Sequence, residues 1–138
     1  RSLVEKSEWF GKVGVVSAGV TKAYDECPID QRMKEFCKEF GYRLQTRSSF
    51  ANPSILADAD IIITLDRASE EFVGLQKHSI RGGIHPLGIF IAPGSEPYVQ
   101  DPYERDEDID VDESYEDIIS SIEYGCAKLS ATLPTLLS

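Results

Sequence analysis

The pattern of apolar and polar positions predicts alternating strands and helices. Short apolar runs at residues 13–16, 59–65 and 87–92 are typical of buried strands, because each is rich in Val, Ile or Leu. Apolar residues at helical spacing follow each of these runs. The resulting order, strand–helix repeated three times, predicts an α/β domain built on a parallel sheet.

Capping and stop signals refine the predicted helices. Pro28 is interpreted as a first-turn residue of the second helix, and Gly41 as its stop. Asp66 is predicted to cap a helix that begins near Arg67. Residues 42–54 are interpreted as an irregular connection. The final helix is predicted from a long apolar stripe: Tyr115, Ile118, Ile119, Ile122, Cys126 and Leu129.

The length of 138 residues predicts one compact domain over residues 1–138, and no internal repeat or compositional boundary divides it. Residues 1–6 resemble the middle of an amphipathic helix, with no cap and no strand before them. The first strand of a doubly wound sheet usually lies at its centre. We therefore expect the domain to be incomplete at its N-terminus.

The formal net charge of −10 disfavours nucleic acid and anionic membranes as partners, because both require basic surface. No apolar run approaches the roughly 20 residues that cross a bilayer, so no membrane span is predicted. Acids dominate residues 101–117, where Arg105 is the only base. We interpret this acidic run as a solvated loop leading into a helix, in preference to a metal site or a basic-partner site.

Three cysteines, Cys27, Cys37 and Cys126, are odd in number and lack the dense spacing of a disulfide framework. They predict a reducing compartment and a cytoplasmic location. Cys37 and Cys126 lie on apolar helical stripes, so we interpret them as buried small hydrophobic residues and none of the three as a nucleophile. His78 and His85 are isolated in the sequence and predict surface or loop roles. Neither a metal nor a cofactor is expected.

Asp101-Pro102-Tyr103 lies at the start of the acidic run and is the strongest chemical signal. Asp-Pro commonly opens a loop, so a turn is the simpler interpretation. An Asp held by a following Pro near the carboxyl end of a strand is also suited to protonate a leaving oxygen. Neither a C-x5-R loop nor a glycine-rich phosphate loop occurs in the sequence, so such a site would be only partly present.

Five segments in order resemble the low-molecular-weight protein tyrosine phosphatase family. Val15-Val16-Ser17-Ala18-Gly19 is similar to its V-D-S-A-G strand exit, with Val16 in place of Asp, and residues 60–67 (D-I-I-I-T-L-D-R) are similar to its D-x-I-x-x-M-D-R/E strand and turn. Residues 1–5 resemble the later part of its first helix, and residues 28–42 its second helix. Asp101-Pro102-Tyr103 resembles its general-acid loop. The resemblance spans about residues 3–129, with an insertion around residues 77–98, and implies a parallel four-stranded sheet with helices on both faces.

The resemblance implies hydrolysis of phosphotyrosine or aryl phosphate through a phosphocysteine intermediate. Asp101 matches the general acid, Pro102 would restrict its backbone, and Tyr103 and Tyr24 would form aromatic walls against the substrate ring. Ser17 matches the serine that supports the phosphate loop. The nucleophile loop itself, C-x5-R-S, is expected upstream of Arg1. The implied partners are phosphotyrosine proteins or small aryl phosphates, and the oligomeric state is left open.

The sequence departs from the family pattern at several positions. Glu104 replaces a second tyrosine, and Thr46 lies near a common histidine position. Arg1-Ser2 is not interpreted as the end of the nucleophile loop, because too few residues separate it from Ser17. One alternative is a non-catalytic binding module of the same fold. Another is an arsenate reductase, although Cys27 and Cys37 lack the setting of its resolving cysteines.

Overall fold

The computed structural model describes residues 1–21, 26–44, 47–91, 97–99 and 111–137, with side chains in the last range from residue 114. The chain divides into two compact units, Arg1–Phe50 and Ala51–Ser138. The described residues form helices and a two-stranded parallel sheet. The α/β class is therefore confirmed, whereas the four-stranded sheet and the single domain stay predictions.

The first unit contains helices α1 (Ser2–Glu5) and α2 (Gln31–Glu39). α2 begins where the Asp30 carboxylate accepts a hydrogen bond from the backbone N–H of Arg32 at 3.2 Å. This bond satisfies an amide that has no partner within the helix. Pro28 was predicted in the first turn, but it lies before the cap and forms an isolated antiparallel bridge with Arg47.

The end of α2 is set by Gly41, as predicted. Gly41 has a φ of 86°, a conformation that costs a glycine little. Its N–H donates to the Lys38 carbonyl at 3.0 Å, and the Tyr42 N–H donates to the Cys37 carbonyl at 2.8 Å. These two bonds are the Schellman motif, which satisfies the last carbonyls of the helix and stops it. The Cys37 side chain is buried, as its place on the apolar stripe predicts.

Residues 13–16 do not form the predicted strand. They have no regular secondary structure, and Val16 is 76% exposed. A strand requires a hydrogen-bonded neighbour along its length. In the described part of the first unit, β-type pairing is limited to two isolated bridges, one of which joins Gly19 to Phe50. The apolar composition of residues 13–16 was therefore insufficient evidence for a buried strand.

The second unit begins with α3 (Pro53–Asp58), a helix that the sequence interpretation missed. The Asn52 side chain accepts a hydrogen bond from the Ile55 N–H at 3.0 Å, and Pro53 occupies the first helical position. Asn followed by Pro is a helix-start signal. In the prediction the same two residues were interpreted as breakers of an irregular connection, which was wrong beyond residue 52.

The sheet pairs β1 (Ile61–Thr64) with β2 (Gly83–Pro86) in parallel, with Ile61 opposite Gly83 and Thr64 opposite Pro86. β1 confirms the strand predicted within residues 59–65. Gly82 lies immediately before β2 and close to the backbone just before β1. A Cβ on Gly82 would lie 2.5 Å from the Asp60 carbonyl oxygen, so the position favours glycine. The segment interpreted as an insertion therefore supplies half of the described sheet.

The strand predicted at residues 87–92 was wrong. The strand ends at Pro86, and residues 88–91 form a short helix, α5 (Gly88–Ile91). Leu87 adds one more backbone bond to β1, donating its N–H to the Thr64 carbonyl at 2.8 Å, and its side chain is only 2% exposed. Ala92 lies outside the described residues. A continuous apolar run does not distinguish a strand from a buried helical turn.

Helix α4 (Arg67–Gly74) follows β1 and contributes to the main apolar cluster. The cluster joins α3, β1 and α4, since its buried members are Ala51, Leu56, Ile62 and Val73. Its partly buried members are Ala59, Phe72, Ile80 and Ile84. A short 3-10 helix, Lys77–Ser79, leads from α4 towards β2. This cluster packs α3 and the second half of α4 against β1.

The final helix, α6 (Val111–Leu136), confirms the predicted apolar stripe. Its buried residues include Tyr115, Ile118 and Ile119. Gly125 allows α5 to pack closely, because a Cβ at this position would lie 2.9 Å from Ile91 Cγ1. Within the residues described here, no helix has the length and apolar character that crossing a membrane requires.

Candidate active site

Ser17 is the one predicted site residue that the structure describes. It is exposed and lies in the irregular segment before Gly19. The Gly19 N–H donates to the Ser49 carbonyl at 2.7 Å, so the chain is anchored two residues after Ser17. The other predicted residues, Tyr24, Asp101, Pro102 and Tyr103, lie outside the described residues, as does Thr46.

The carboxyl end of β1 is hydrogen-bonded to the segment that precedes the predicted acid in sequence. Thr64 and Leu65 each accept a backbone hydrogen bond there, from the Leu87 N–H at 2.8 Å and from the Val99 N–H at 2.7 Å. Ligands in open α/β sheets bind outside the carboxyl ends of the strands. Val99 precedes Asp101 by two residues. The backbone therefore ties the segment before Asp101 to the edge of the sheet where such sites are found.

Asp66 forms a reciprocal cap at the start of α4. Its Oδ1 accepts from the Ser69 N–H at 2.8 Å and from the Ser69 hydroxyl at 2.7 Å, while Ser69 Oγ accepts from the Asp66 N–H at 3.2 Å. This is a capping box with serine in the third helical position. The prediction that Asp66 caps this helix is confirmed.

Residues 97–99 are held by backbone hydrogen bonds at both ends. The Gly88 N–H donates to the Pro97 carbonyl at 3.1 Å, and the Val99 N–H donates to the Leu65 carbonyl at 2.7 Å. Gly88 is buried, and a Cβ on it would collide with the Pro97 backbone. The segment is therefore fixed between the start of α5 and the end of β1.

Arg67 and Tyr98 form a cation–π pair at this end of the sheet. The guanidinium carbon of Arg67 lies 5.4 Å from the centroid of the Tyr98 ring. Arg67 is exposed and Tyr98 is partly buried. Arg67 ends the D-I-I-I-T-L-D-R motif without a predicted role, and Tyr98 lies in the segment interpreted as an insertion. Neither residue type carries a signal for such a contact without the fold.

Among the residues that the structure describes, the thiols and imidazoles have no arrangement typical of a nucleophile or a metal site. All three cysteines lie within the described residues and none is joined in a disulfide. Burial raises the pKa of the Cys126 thiol above its ordinary value of 9.0, which lowers the thiolate fraction at neutral pH. His85 lies in β2 and His78 in the 3-10 helix. The described residues contain no group of three or more His, Cys, Asp or Glu that could hold a metal ion.

The described residues thus define an α/β fold in which residues 97–99 are anchored at the carboxyl end of the parallel strands. Residues 2–136 match the model of the low molecular weight phosphotyrosine protein phosphatase family. Because the match covers almost the whole sequence, the chain belongs to this family. The predicted family is therefore confirmed, and membership supports a phosphatase function.

A solved structure is similar over most of both chains. It is the crystal structure of the protein tyrosine phosphatase from Entamoeba histolytica with Hepes in the active site. The TM-score is 0.81 with 20% sequence identity, over 97% of this chain and 83% of that one. At this identity the similarity concerns the fold. No curated protein matches the sequence.

Proposed function

We propose that the chain is part of a protein tyrosine phosphatase that hydrolyses phosphotyrosine or aryl phosphates, with Asp101 as the general acid. The observation that carries the proposal is the family match across residues 2–136, which includes Asp101-Pro102-Tyr103. The expected nucleophile is a cysteine in a C-x5-R-S loop, supplied by residues of the full-length protein outside this sequence.

The proposed reaction has two steps. In the first, the cysteine thiolate attacks phosphorus, so that a S–P bond forms and the bond from phosphorus to the tyrosyl oxygen breaks. Asp101 donates its proton to that oxygen as it leaves. In the second, water attacks phosphorus and the S–P bond breaks, while the Asp101 carboxylate accepts a proton from the water. Loop amides and an arginine would stabilise the charge on the phosphoryl oxygens.

The geometry of the described residues is consistent with this role. The Val99 N–H is bonded to the Leu65 carbonyl at the end of β1. Two residues of extended chain span at most about 7 Å. The role of Asp101 therefore requires the phosphate to be bound beside the carboxyl end of β1, the usual position for ligands of such sheets.

The remaining site residues have supporting roles in the proposal. Ser17 would support the phosphate loop, and Pro102 would restrict the backbone of the acid. Tyr103 and Tyr24 would flank the phenyl ring of the substrate. The proposal also includes one domain with a four-stranded parallel sheet, a cytoplasmic location and no metal or cofactor.

Asp101→Asn tests the acid assignment in the full-length protein, with Asp106→Asn as a matched control that makes the same charge change in the same acidic run. We expect Asp101→Asn to lower kcat/KM for phenyl phosphate by about 10²–10⁴-fold, the usual worth of general acid catalysis, and Asp106→Asn to have little effect. The loss should be smaller for nitrophenyl phosphates, whose leaving groups need less protonation.

Equal activity of the Asp101→Asn variant and the unmodified protein would contradict the assignment. Binding of a phosphotyrosine peptide without hydrolysis by the full-length protein would instead favour a non-catalytic module. Intact mass and N-terminal sequencing of the full-length protein would establish whether it contains the expected cysteine loop.

A further inference from the structure

We propose that Tyr98, held against the guanidinium of Arg67, is a positioning residue for the general acid. The inference rests on the proposed function of Asp101 and adds how that residue is kept in place. Tyr98 does not contact substrate in this proposal. It fixes the backbone three residues before Asp101 in sequence.

The backbone of residues 97–99 provides the first part of the anchor. Its two hydrogen bonds, Gly88 N–H to the Pro97 carbonyl and Val99 N–H to the Leu65 carbonyl, hold the segment on both sides of Tyr98. The bonds run to α5 and β1, which belong to the same compact unit as Tyr98. Tyr98 therefore lies at a fixed place between two rigid elements.

The Arg67–Tyr98 pair provides the second part. Arg67 is the first residue of α4, and the Asp66 capping box fixes where α4 begins. The Arg67 guanidinium lies 5.4 Å from the Tyr98 ring centroid, within the range of a cation–π interaction. Among the described residues, Arg67 makes this ring contact and no ion pair. The side chain of Tyr98 is thereby tied to the helix that follows β1.

The sequence after Tyr98 explains why an anchor is needed there. Residues 101–113 contain eight acids and a single base, Arg105. Like charges repel, so the neighbouring acids supply no attraction that would position Asp101. A proton donor must be within hydrogen-bond distance of its acceptor, and a misplacement of about 1 Å can cost about 10²-fold in rate. Contacts immediately before Asp101 would supply positioning that its acidic neighbours do not.

Tyr98→Leu tests the proposal in the full-length protein, with Tyr98→Phe as the matched control. Leu lacks the π face, whereas Phe keeps it and removes only the hydroxyl. We expect Tyr98→Leu to lower kcat/KM by about tenfold for phenyl phosphate and by less than about twofold for dinitrophenyl phosphate, since only the first substrate depends strongly on the acid. Tyr98→Phe should retain the activity of the unmodified protein on both substrates.

Arg67→Gln removes the cation from an exposed position and gives the same test if Tyr98→Leu fails to fold. It should reproduce the loss that is specific to phenyl phosphate, and Arg67→Lys should restore part of the activity. In an Asp101→Asn background, Tyr98→Leu should have no further effect, because both changes act on the same proton transfer.

Equal losses on the two substrates would overturn the proposal, since they would indicate a general structural effect. A loss in Tyr98→Phe as large as in Tyr98→Leu would do the same. A failure of the proposed function is distinguishable: Asp101→Asn itself would then show no dependence on the leaving group. If Asp101→Asn shows that dependence and neither Tyr98→Leu nor Arg67→Gln does, only the positioning role is wrong.

Discussion

Thr64 carries a hydroxyl that is buried at the end of β1, with the residue only 2% exposed and Oγ1 lacking a hydrogen-bond partner among the described residues. A buried polar atom without a partner costs about 1–3 kcal/mol. Its backbone carbonyl, in contrast, accepts from the Leu87 N–H. The strand is therefore well paired at its backbone but not at this side chain.

Thr64→Val should stabilise the protein by about 1 kcal/mol, because valine has nearly the same shape and removes the unpaired hydroxyl. Urea denaturation measures the change. The matched control is Thr132→Val, which removes an exposed hydroxyl that donates to the Lys128 carbonyl at 2.8 Å and should change stability by less than about 0.5 kcal/mol. A loss of stability in Thr64→Val would show that its hydroxyl is bonded in solution.

Cys126 should react slowly with iodoacetamide at neutral pH, because burial raises the pKa of its thiol above 9.0 and only the thiolate is nucleophilic. The rate should continue to rise with pH above 9.0 in the folded protein, whereas in urea it should level off near the ordinary thiol pKa. Mass spectrometry of the labelled protein measures both rates. Rapid labelling of folded Cys126 at pH 7 would contradict the burial argument.

The same shift makes stability depend on pH. Between pH 9.0 and the raised pKa, a larger fraction of the Cys126 thiol is protonated in the folded protein than in the unfolded chain. This contribution is therefore fully present below pH 9.0 and is lost as the pH rises through the folded pKa. In Cys126→Ala, the free energy of unfolding should therefore fall less as the pH rises above 9.0.

At the scale of elements, the helices were predicted better than the strands. Asp66, Gly41 and the apolar stripe of α6 are local signals, and each proved to mark the feature that it predicted. Residues 13–16 and 87–92 are apolar, as residues 59–65 are, but among the described residues only the last of these runs contains a strand. Whether an apolar run becomes a strand depends on a neighbour elsewhere in the chain. β2 shows the converse, since Gly83–Pro86 has little strand propensity and pairs with β1 nonetheless.

The candidate site likewise has a part that the sequence predicts and a part that it does not. Motif order was sufficient to predict the family, because five short segments in sequence need no knowledge of the fold. The Arg67–Tyr98 contact could not be predicted, since it joins residues 31 positions apart in sequence by way of α4, β2 and α5. Such a contact becomes visible only when the carboxyl end of β1 and residues 97–99 are placed together.

Gly88→Ala should destabilise the protein by about 1–3 kcal/mol, because the added Cβ collides with the Pro97 backbone and forces the anchored segment away from α5. Gly74→Ala is the control: it lies at the end of α4, where a Cβ meets nothing within 4 Å, and should be stabilising by about 0.5–1 kcal/mol. Urea denaturation of both variants measures the difference. Equal effects would show that Pro97 does not approach Gly88 in solution.

At the scale of the whole molecule, the family match extends across both compact units, from residue 2 to residue 136. The chain carries a formal charge of −10, which opposes the approach of an anionic phosphate. A phosphatase with this charge depends on local donors to bind its substrate. The proposed loop of amides and arginine would supply them.

The most direct test of the account is phosphate release from a tyrosine-phosphorylated peptide by the full-length protein. The same peptide with phosphothreonine in place of phosphotyrosine is the control. We predict saturable release from the phosphotyrosine peptide, with a phosphocysteine adduct detectable by mass spectrometry after rapid acid quenching. Binding of the phosphotyrosine peptide with neither phosphate release nor an adduct would contradict the account.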